Sequence, residues 1–314
     1  MTCKAPKLIF SLIAACALGA IPAARADAVA ASAQPIVFQP AAQGLPELAG
    51  GESDEARKRF RSRLLVGGAA TGVLLYGSAH WWKDDMNSHF STIDEGWFGQ
   101  DTYTGGADKF GHMYSTYVGT RLLTRAFEWA GHGGNDAAWL AAATTWGAML
   151  AVEIGDGFSS RYRFSKEDLI MNTVGTGLGL WMERNPELDE ILDFRLMYKP
   201  SEDARRLNQV DPVDDHSGQT YLLIAKASGI PALRGIEPLR YFELALGYGS
   251  RGYEPNAGGE HSRNIYYGIS LNVAELLSAS VFRDSRGSRA QKVTNGILEV
   301  FQIPGTVALD SHRL

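Results

Sequence analysis

The sequence D-K-F-G-H at residues 108–112 opens the stretch that decides the fold. The stretch continues through E-I-G-D-G at 153–157 and closes with S-K-E-D-L-I-M-N at 165–172. Each polar cluster adjoins an apolar run whose length is typical of a helix. We therefore predict that consecutive helices carry these clusters to one polar pocket.

Four helical runs are expected, at 64–82, 108–130, 137–154 and 165–183. The first has nineteen residues without a formal charge, and at about 1.5 Å per residue it is just long enough to cross a bilayer core. Tryptophans near helix ends are typical of a membrane aromatic belt, and here they are Trp81, Trp82, Trp129, Trp139 and Trp181. They are equally compatible with the core of a soluble bundle. The pattern favours a membrane-associated four-helix bundle, with spanning and surface-bound arrangements both open.

Alternating apolar residues follow position 200, at 221–227, 241–248, 265–273 and 297–301. This period of two predicts strands of a small antiparallel sheet. Residues 188–215 are charged and predict a connection, and the Gly-rich segment 249–263 predicts a loop. The fold is thus expected to be mainly α with a β-rich C-terminal part. The predicted divisions are a signal peptide at 1–26, a flexible linker at 27–60, a helical bundle at 61–200 and a β-rich region at 201–314.

The N-terminal residues predict export. Two lysines precede an apolar segment at 8–21, and A-R-A at 24–26 favours cleavage after Ala26. Alternatively, I-A-A-C at 13–16 resembles a lipobox that would make Cys16 a lipidated first residue. Either route leads to the periplasmic face of a membrane, inner or outer. Since Cys3 and Cys16 are the only cysteines, a chain cleaved after Ala26 has no disulfide or thiol nucleophile. A net charge of -5 gives no electrostatic basis for nucleic-acid binding.

Two pairs of polar residues are candidates for chemistry. Asp108 and His112 are four apart and share a helix face, where a carboxylate can orient an imidazole or bind a metal with it. Glu153 and Asp156 follow a long apolar run, so they need partners or a wet opening. The structural alternative is that Asp108 caps its helix, His112 packs in the core and both acids of the second pair reach solvent.

The third cluster has a structural explanation as well. Ser165 and Asp168 form a capping-box pattern, and Asn172 lies one turn later within an apolar helix, where its amide needs partners. Arg163, in the preceding loop, could neutralise nearby carboxylates or bind a phosphate group. It could also be an ordinary loop charge.

At these residues the chain resembles the YfiM-type predicted periplasmic lipoproteins, a family of unknown function. The resemblance rests on D-K-F-G-H-M-Y-S-T-Y at 108–117, E-I-G-D-G-F-S-S-R-Y-R-F-S-K-E-D-L at 153–169 and N-T-V-G at 172–175. More remotely, the pattern is similar to VanZ-like membrane proteins. That similarity implies a set of site residues: Asp108, Lys109, His112, Glu153, Arg163, Asp168 and Asn172. Asp156 departs from the pattern, which has Gln there.

The sequence therefore predicts an envelope protein whose pocket binds or processes an envelope lipid or glycan head group. Glu153 or Asp168 would be the base, and His112 the acid–base partner. The expected binding residues are Asp108, Lys109, Asp156, Arg163 and Asn172. A divalent metal is compatible with one histidine among carboxylates, with His112, Glu153 and Asp156 as candidate ligands. The alternative is a non-catalytic envelope protein whose polar clusters only cap and cross-link helices and whose β-rich tail contacts a protein partner.

Overall fold

A computed structural model describes residues 53–83, 85–208, 210–213, 215–253 and 260–314, without the side chain of His80. The predicted signal peptide, the lipidation alternative at Cys16, most of the predicted linker and the centre of the predicted 249–263 loop lie outside these residues.

The described chain is mainly helical, with a sheet in its C-terminal part, as predicted. Its helices are α1 (Asp54–Tyr76), α2 (Ala107–Ala130), α3 (Gly134–Gly157), α4 (Lys166–Arg184), α5 (Pro186–Ile191), α6 (Glu202–Arg206), α7 (Pro231–Arg234), α8 (Val273–Ala279) and α9 (Arg289–Leu298). Its strands are β1 (Thr92–Ile93), β2 (Phe164–Ser165), β3 (Leu192–Tyr198), β4 (Gln219–Lys226), β5 (Phe242–Arg251), β6 (Ser262–Leu271), β7 (Phe301–Gln302) and β8 (Val307–Arg313).

The first helix differs from its prediction. It begins at Asp54, where the Ser53 side chain accepts from the Ala56 N–H, and it gives way to a π-helical turn at Gly77–Trp81. Its first half is rich in arginine and lysine, which the charge-free run at 64–82 does not reveal. Among the described helices only α3 is long and apolar enough to cross a membrane, and 39% of its apolar window is buried. A core helix of a soluble protein can meet the same criterion.

The third helix runs past the glycines that were expected to end it. Gly155 and Gly157 lie within α3. Aromatic rings pack where their side chains would stand, which explains why both positions are glycine. A Cβ on Gly155 would come within 2.1 Å of the Trp82 ring, and one on Gly157 within 2.1 Å of the Phe90 ring. These glycines therefore allow the loop before α2 to pack on the end of α3.

Helices α2, α3 and α4 pack on one another, with α1 alongside α2 and α3. The α2–α4 contact is especially close, since a Cβ on Gly175 would lie 2.0 Å from the Met113 carbonyl oxygen. Tyr117 and Met182 are buried where these helices meet the sheet. Each long helix thus holds its neighbour at a fixed distance, which positions the polar residues at the helix ends.

The main sheet has six strands in the order β7-β3-β4-β5-β6-β8, antiparallel except for the β3–β7 pair. Three of the four predicted strands are present as β4, β5 and β6. The fourth was wrong over most of its length, because residues 297–298 end α9 and 299–300 form a turn, so that Phe301 alone lies in a strand, β7. The prediction of a connection at 188–215 was also wrong over β3, which pairs with β4, so the sheet includes residues before 201.

The two faces of this sheet have unusual surroundings. One face packs Tyr221 and Tyr248 against Phe110 of α2, but farther along it Leu244 and Leu246 are 65% and 54% exposed. On the other face buried Arg195 donates to Glu243 at 2.8 Å, and to Asp193. The alternation of apolar residues in the sequence assigns side chains to the two faces of the sheet. It does not show that one face buries charged residues and that the other exposes leucines.

Candidate functional site

Three helix ends meet at one end of the helical layer. The first turns of α2 carry Asp108, Lys109 and His112, the last turns of α3 carry Glu153, and the first turns of α4 carry Asp168 and Asn172. Because α3 is antiparallel to its two neighbours, its C-terminus lies beside their N-termini. We call the set of Glu95, Asp108, Lys109, His112, Glu153, Asp156, Asp168 and Asn172 the polar cluster.

Lys109 is the most deeply buried cation of the cluster, with a side chain that is 0% exposed. Its Nζ donates to Asp168 Oδ1 at 2.6 Å and to Asp108 Oδ2 at 3.1 Å. It also forms an ion pair with Glu95. Glu95 was not anticipated from the sequence, because it lies in a loop without periodicity. Lys109 thus links α2, α4 and the loop before α2.

His112 lies between two groups of acceptors. Its Nδ1 is 3.2 Å from Asn172 Oδ1 and 3.6 Å from Glu153 Oε1. Its Nε2 is 3.8 Å from both Asp108 Oδ1 and Asp168 Oδ2. Asn172, fully buried, donates from Nδ2 to Glu153 Oε1 at 3.3 Å. The predicted pairing of Asp108 with His112 is therefore part of a larger network.

Asp168 takes part in the cap of α4 through its backbone, and Ser165 is the capping residue. Its backbone N–H donates to Ser165 Oγ at 3.3 Å, as a capping box requires. Its carboxylate, however, turns to Lys109 and His112. The structural explanation for Asp168 therefore accounts for its backbone but not for its side chain.

Two of the predicted site residues lie at the margin. Asp156 Oδ1 accepts a hydrogen bond from Trp82 Nε1 at 2.8 Å. Arg163 is exposed, and no hydrogen bond or ion pair joins it to the described residues of the cluster. The structure thus brings together all the predicted residues except Arg163.

Burial and excess negative charge shift the pKa values of the cluster. Burial lowers the pKa of His112, but the carboxylates of Asp168, Asp108 and Glu153 outweigh it and raise this pKa to about 9. Burial raises the pKa of Asp168 to about 8 and that of Glu153 to about 7, despite the attraction of His112. Burial likewise raises the pKa of Asp156 to about 6. Groups that hold or release a proton near neutral pH are suited to acid–base chemistry.

A metal ion could be held by a subset of these side chains. Asp108, His112 and Asp168 each offer one ligand atom, and the three atoms lie within 4.8 Å of one another. This group shares His112 with the ligands expected from the sequence, but it contains neither Glu153 nor Asp156. The polar cluster can therefore bind cations, exchange protons or fix helices, depending on what reaches His112.

Comparison with known proteins covers the region of the cluster. Residues 94–184 match the model of a family described as predicted periplasmic lipoprotein (DUF2279). The match covers less than a third of the chain, but it extends from the loop that holds Glu95 to the end of α4. No curated protein and no solved structure matches. The chain is thus similar to a periplasmic family over α2, α3 and α4, which confirms the predicted export to the periplasmic face.

Proposed function

We propose that the polar cluster is the site of an envelope protein that binds, and transfers protons to or from, the polar head group of an envelope lipid or glycan. The observation that carries this proposal is that Asp168 and Glu153, from two other helices, converge around the imidazole of His112 on α2. A network that served only to fix helices would not need a histidine that reaches the surface. The His112 side chain is 20% exposed, whereas those of Glu153 and Asp168 are 2% and 7% exposed.

The contacts suggest a role for each group. His112 is the accessible acid–base partner, and Asp168 or Glu153 is the base that exchanges its proton with the imidazole. Asn172 orients the imidazole through Nδ1. Lys109 keeps Asp168 in place. Arg163 would need a head group between it and the cluster to contribute, since no direct contact supports its predicted role.

A charge-free surface on α3 and α4 supports contact with a membrane. Neither 137–152 on α3 nor 169–182 on α4 contains a charged residue. Large apolar side chains on these helices are about half exposed: Trp139, Ile154, Ile170, Val174 and Trp181. From Trp139 to Ile154 this surface is about 22 Å long, less than the roughly 30 Å of a bilayer core. Its length favours insertion into one leaflet over a complete crossing.

Attachment by lipidation at Cys16 would place this surface on a membrane. The family that matches residues 94–184 is described as lipoproteins, which favours this alternative over cleavage after Ala26. Mass spectrometry of the exported protein distinguishes the two. A diacylated N-terminus at Cys16 supports anchoring, whereas an unmodified N-terminus at Asp27 contradicts it. The family match supports a predicted periplasmic lipoprotein. We propose in addition that the chain is YfiM-like and, more remotely, VanZ-like.

The second candidate function is structural, and Lys109 favours it. Its three ion pairs cross-link α2, α4 and the preceding loop without any ligand. In that case the exposed part of the sheet around Leu244, Leu246 and Ile269 would contact a protein partner. Both candidates place the protein in the envelope, but only the first requires the imidazole of His112.

Substitution of His112 separates the two candidates. The variant His112→Ala is compared with His132→Ala, a matched change at the far end of α2, where the imidazole contacts Ser62. Both are expressed in a strain that lacks the gene. We expect both to fold and localise, and only His112→Ala to lose function. Full function in a folded His112→Ala protein would refute the proposal.

Membrane contact has its own test. Val174→Glu places a charge on the charge-free surface of α4, and Leu207→Glu places one on a similarly exposed apolar residue outside it; these side chains are 46% and 44% exposed. Flotation with phosphatidylethanolamine–phosphatidylglycerol vesicles should be weakened by Val174→Glu alone. Equal flotation of both variants would contradict insertion of this surface.

A further inference from the structure

His112 and two aspartates leave a gap that suits a metal ion. His112 Nε2 lies 3.8 Å from Asp108 Oδ1 and 3.8 Å from Asp168 Oδ2, too far for a hydrogen bond. Ligand atoms about 2.1 Å from one ion are separated by about 3.0 to 4.2 Å, depending on the angle between them. We propose that Asp108, His112 and Asp168 bind a divalent first-row metal ion such as Mn²⁺ or Zn²⁺.

The other ring nitrogen is arranged as in a metal-binding histidine. Asn172 donates from Nδ2 to Glu153, which turns its Oδ1 toward His112 Nδ1 at 3.2 Å. That oxygen can accept only if Nδ1 carries the proton, so the neutral imidazole presents its lone pair at Nε2. Metal-binding histidines commonly donate their second N–H to an acceptor in this way, and the acceptor fixes the ring orientation.

Lys109 leaves the proposed ligand oxygens available. It contacts Oδ2 of Asp108 and Oδ1 of Asp168, whereas the gap beside His112 is bordered by the other oxygen of each carboxylate. An ion in this gap would share each carboxylate with Lys109 without displacing it. The lysine thereby fixes both aspartates in the orientation that the ion requires.

The charge balance of the cluster favours a cation. In the described part of the chain five carboxyl groups face Lys109 and His112: Glu95, Asp108, Glu153, Asp156 and Asp168. With the neutral imidazole that a metal ligand requires, Lys109 is the one cation among them, so complete ionisation of the acids would leave four negative charges unbalanced. Unbalanced buried charge is costly. Protons or a metal ion must offset it, and a divalent ion offsets two of these four charges at once.

The geometry also leaves room for a further ligand. The side chains of Asp108 and His112 are 17% and 20% exposed, so the gap is open on one side. Three protein ligands with an open position are the usual arrangement of a catalytic metal site, where water or substrate completes the coordination. Two Asp and one His, without cysteine, suit a hard or borderline ion. The inference rests on the same cluster as the proposed function but does not require the head group; it concerns the state in which His112 is neutral and does not exchange protons.

Mn²⁺ binding provides the test. The exported protein is stripped with a chelator and titrated with Mn²⁺, with free Mn²⁺ followed by electron paramagnetic resonance. We expect one bound ion per chain, with affinity reduced at least about tenfold in His112→Gln and in Asp168→Asn. The control is Asp94→Asn, which removes an exposed acid beside the cluster that pairs with Lys166 instead. It should change the affinity by less than about twofold.

Pulsed resonance of the Mn²⁺-loaded protein gives a second readout, which a variant that fails to fold cannot confuse. Wild-type protein should show coupling to an imidazole nitrogen. Absence of that coupling, or no binding of Mn²⁺ or Zn²⁺ at millimolar concentration, would overturn the inference. If the wild-type protein binds no metal but the His112→Ala variant still loses function, the metal inference fails and the proposed function stands. Metal binding by a protein whose His112→Ala variant is fully functional would refute the proposed function alone.

Discussion

Replacement of Lys109 by methionine tests whether the polar cluster depends on its buried cation. The Lys109 side chain is completely buried and contacts Glu95, Asp108 and Asp168. Methionine fills most of the same volume but leaves these carboxylates without their cation. Removing one partner of a buried ion pair typically costs about 3–5 kcal/mol. We therefore expect the free energy of unfolding to fall by about that amount, and the melting temperature by about 10 °C.

The matched control is Lys166→Met. Lys166 also pairs with two carboxylates, at 3.4 Å and 3.5 Å, but its side chain is 63% exposed. Exposed pairs contribute about 0–1 kcal/mol, so this variant should be nearly as stable as wild type. Urea unfolding followed by tryptophan fluorescence measures both in metal-free buffer. If Lys109→Met costs no more than Lys166→Met, the assignment of Lys109 as the cluster's essential cation is wrong.

Three further outcomes are expected in the same assay. Asp156→Asn keeps an acceptor for Trp82 and removes a carboxyl whose pKa is raised by burial to about 6. The wild-type carboxyl destabilises the fold when it ionises. The free energy of unfolding of the variant should therefore be higher by about 1–3 kcal/mol at pH 8 and unchanged below about pH 4. Gly175→Ala should cost about 1–3 kcal/mol, because its Cβ would collide with the Met113 carbonyl, whereas Gly177→Ala, with nothing within 4 Å, should be neutral or stabilising by up to about 1 kcal/mol. Arg195→Met should cost about 3–5 kcal/mol, since it strands buried carboxylates in the sheet; a loss under 1 kcal/mol in either destabilising variant would contradict the packing described.

The helices were largely predictable because their signals are local. Ser165 caps α4 as its sequence indicates, and α2 ends at a left-handed Gly131 as expected. The glycines of α3 misled the prediction because their role is tertiary: Gly155 and Gly157 make room for Trp82 and Phe90. A glycine that admits a distant ring cannot be distinguished from one that ends a helix without knowing where the ring lies.

The sheet was harder to predict than the helices. Strand β3 reads as L-D-F-R-L-M-Y, and the charges of Asp193 and Arg195 suggest an exposed connection. Both are buried because they pair with each other and because Arg195 also pairs with Glu243, on a strand far along the chain. Long-range pairing of charges leaves no periodic signal, so the face that holds them could not be recognised from alternation alone.

Seven of the eight members of the polar cluster, all except Glu95, were predicted, but their connections were not. The order of three polar groups on three helices identified His112, Glu153 and Asp168. It did not show that Lys109 would be the buried hub, nor that Glu95 would reach it from a loop. Arg163 was included as a loop charge that could neutralise nearby carboxylates, and through resemblance; it is exposed and has no hydrogen bond or ion pair to the described residues of the cluster. Helix periodicity gives the face of each residue, whereas the contacts between helices depend on their packing.

Glu153→Gln tests the central claim, that the cluster is a functional site, most directly. Glutamine keeps an oxygen for the Asn172 amide at a position that is 2% exposed. Since burial raises the pKa of Glu153 to about 7, its ionised form weakens the fold as pH rises through that value, and the variant should be at least as stable as wild type at pH 8. We predict a folded, exported and stable protein that fails to replace the wild-type gene. A stable variant with full function would show that the Glu153 carboxylate is not required for function and would contradict the claim.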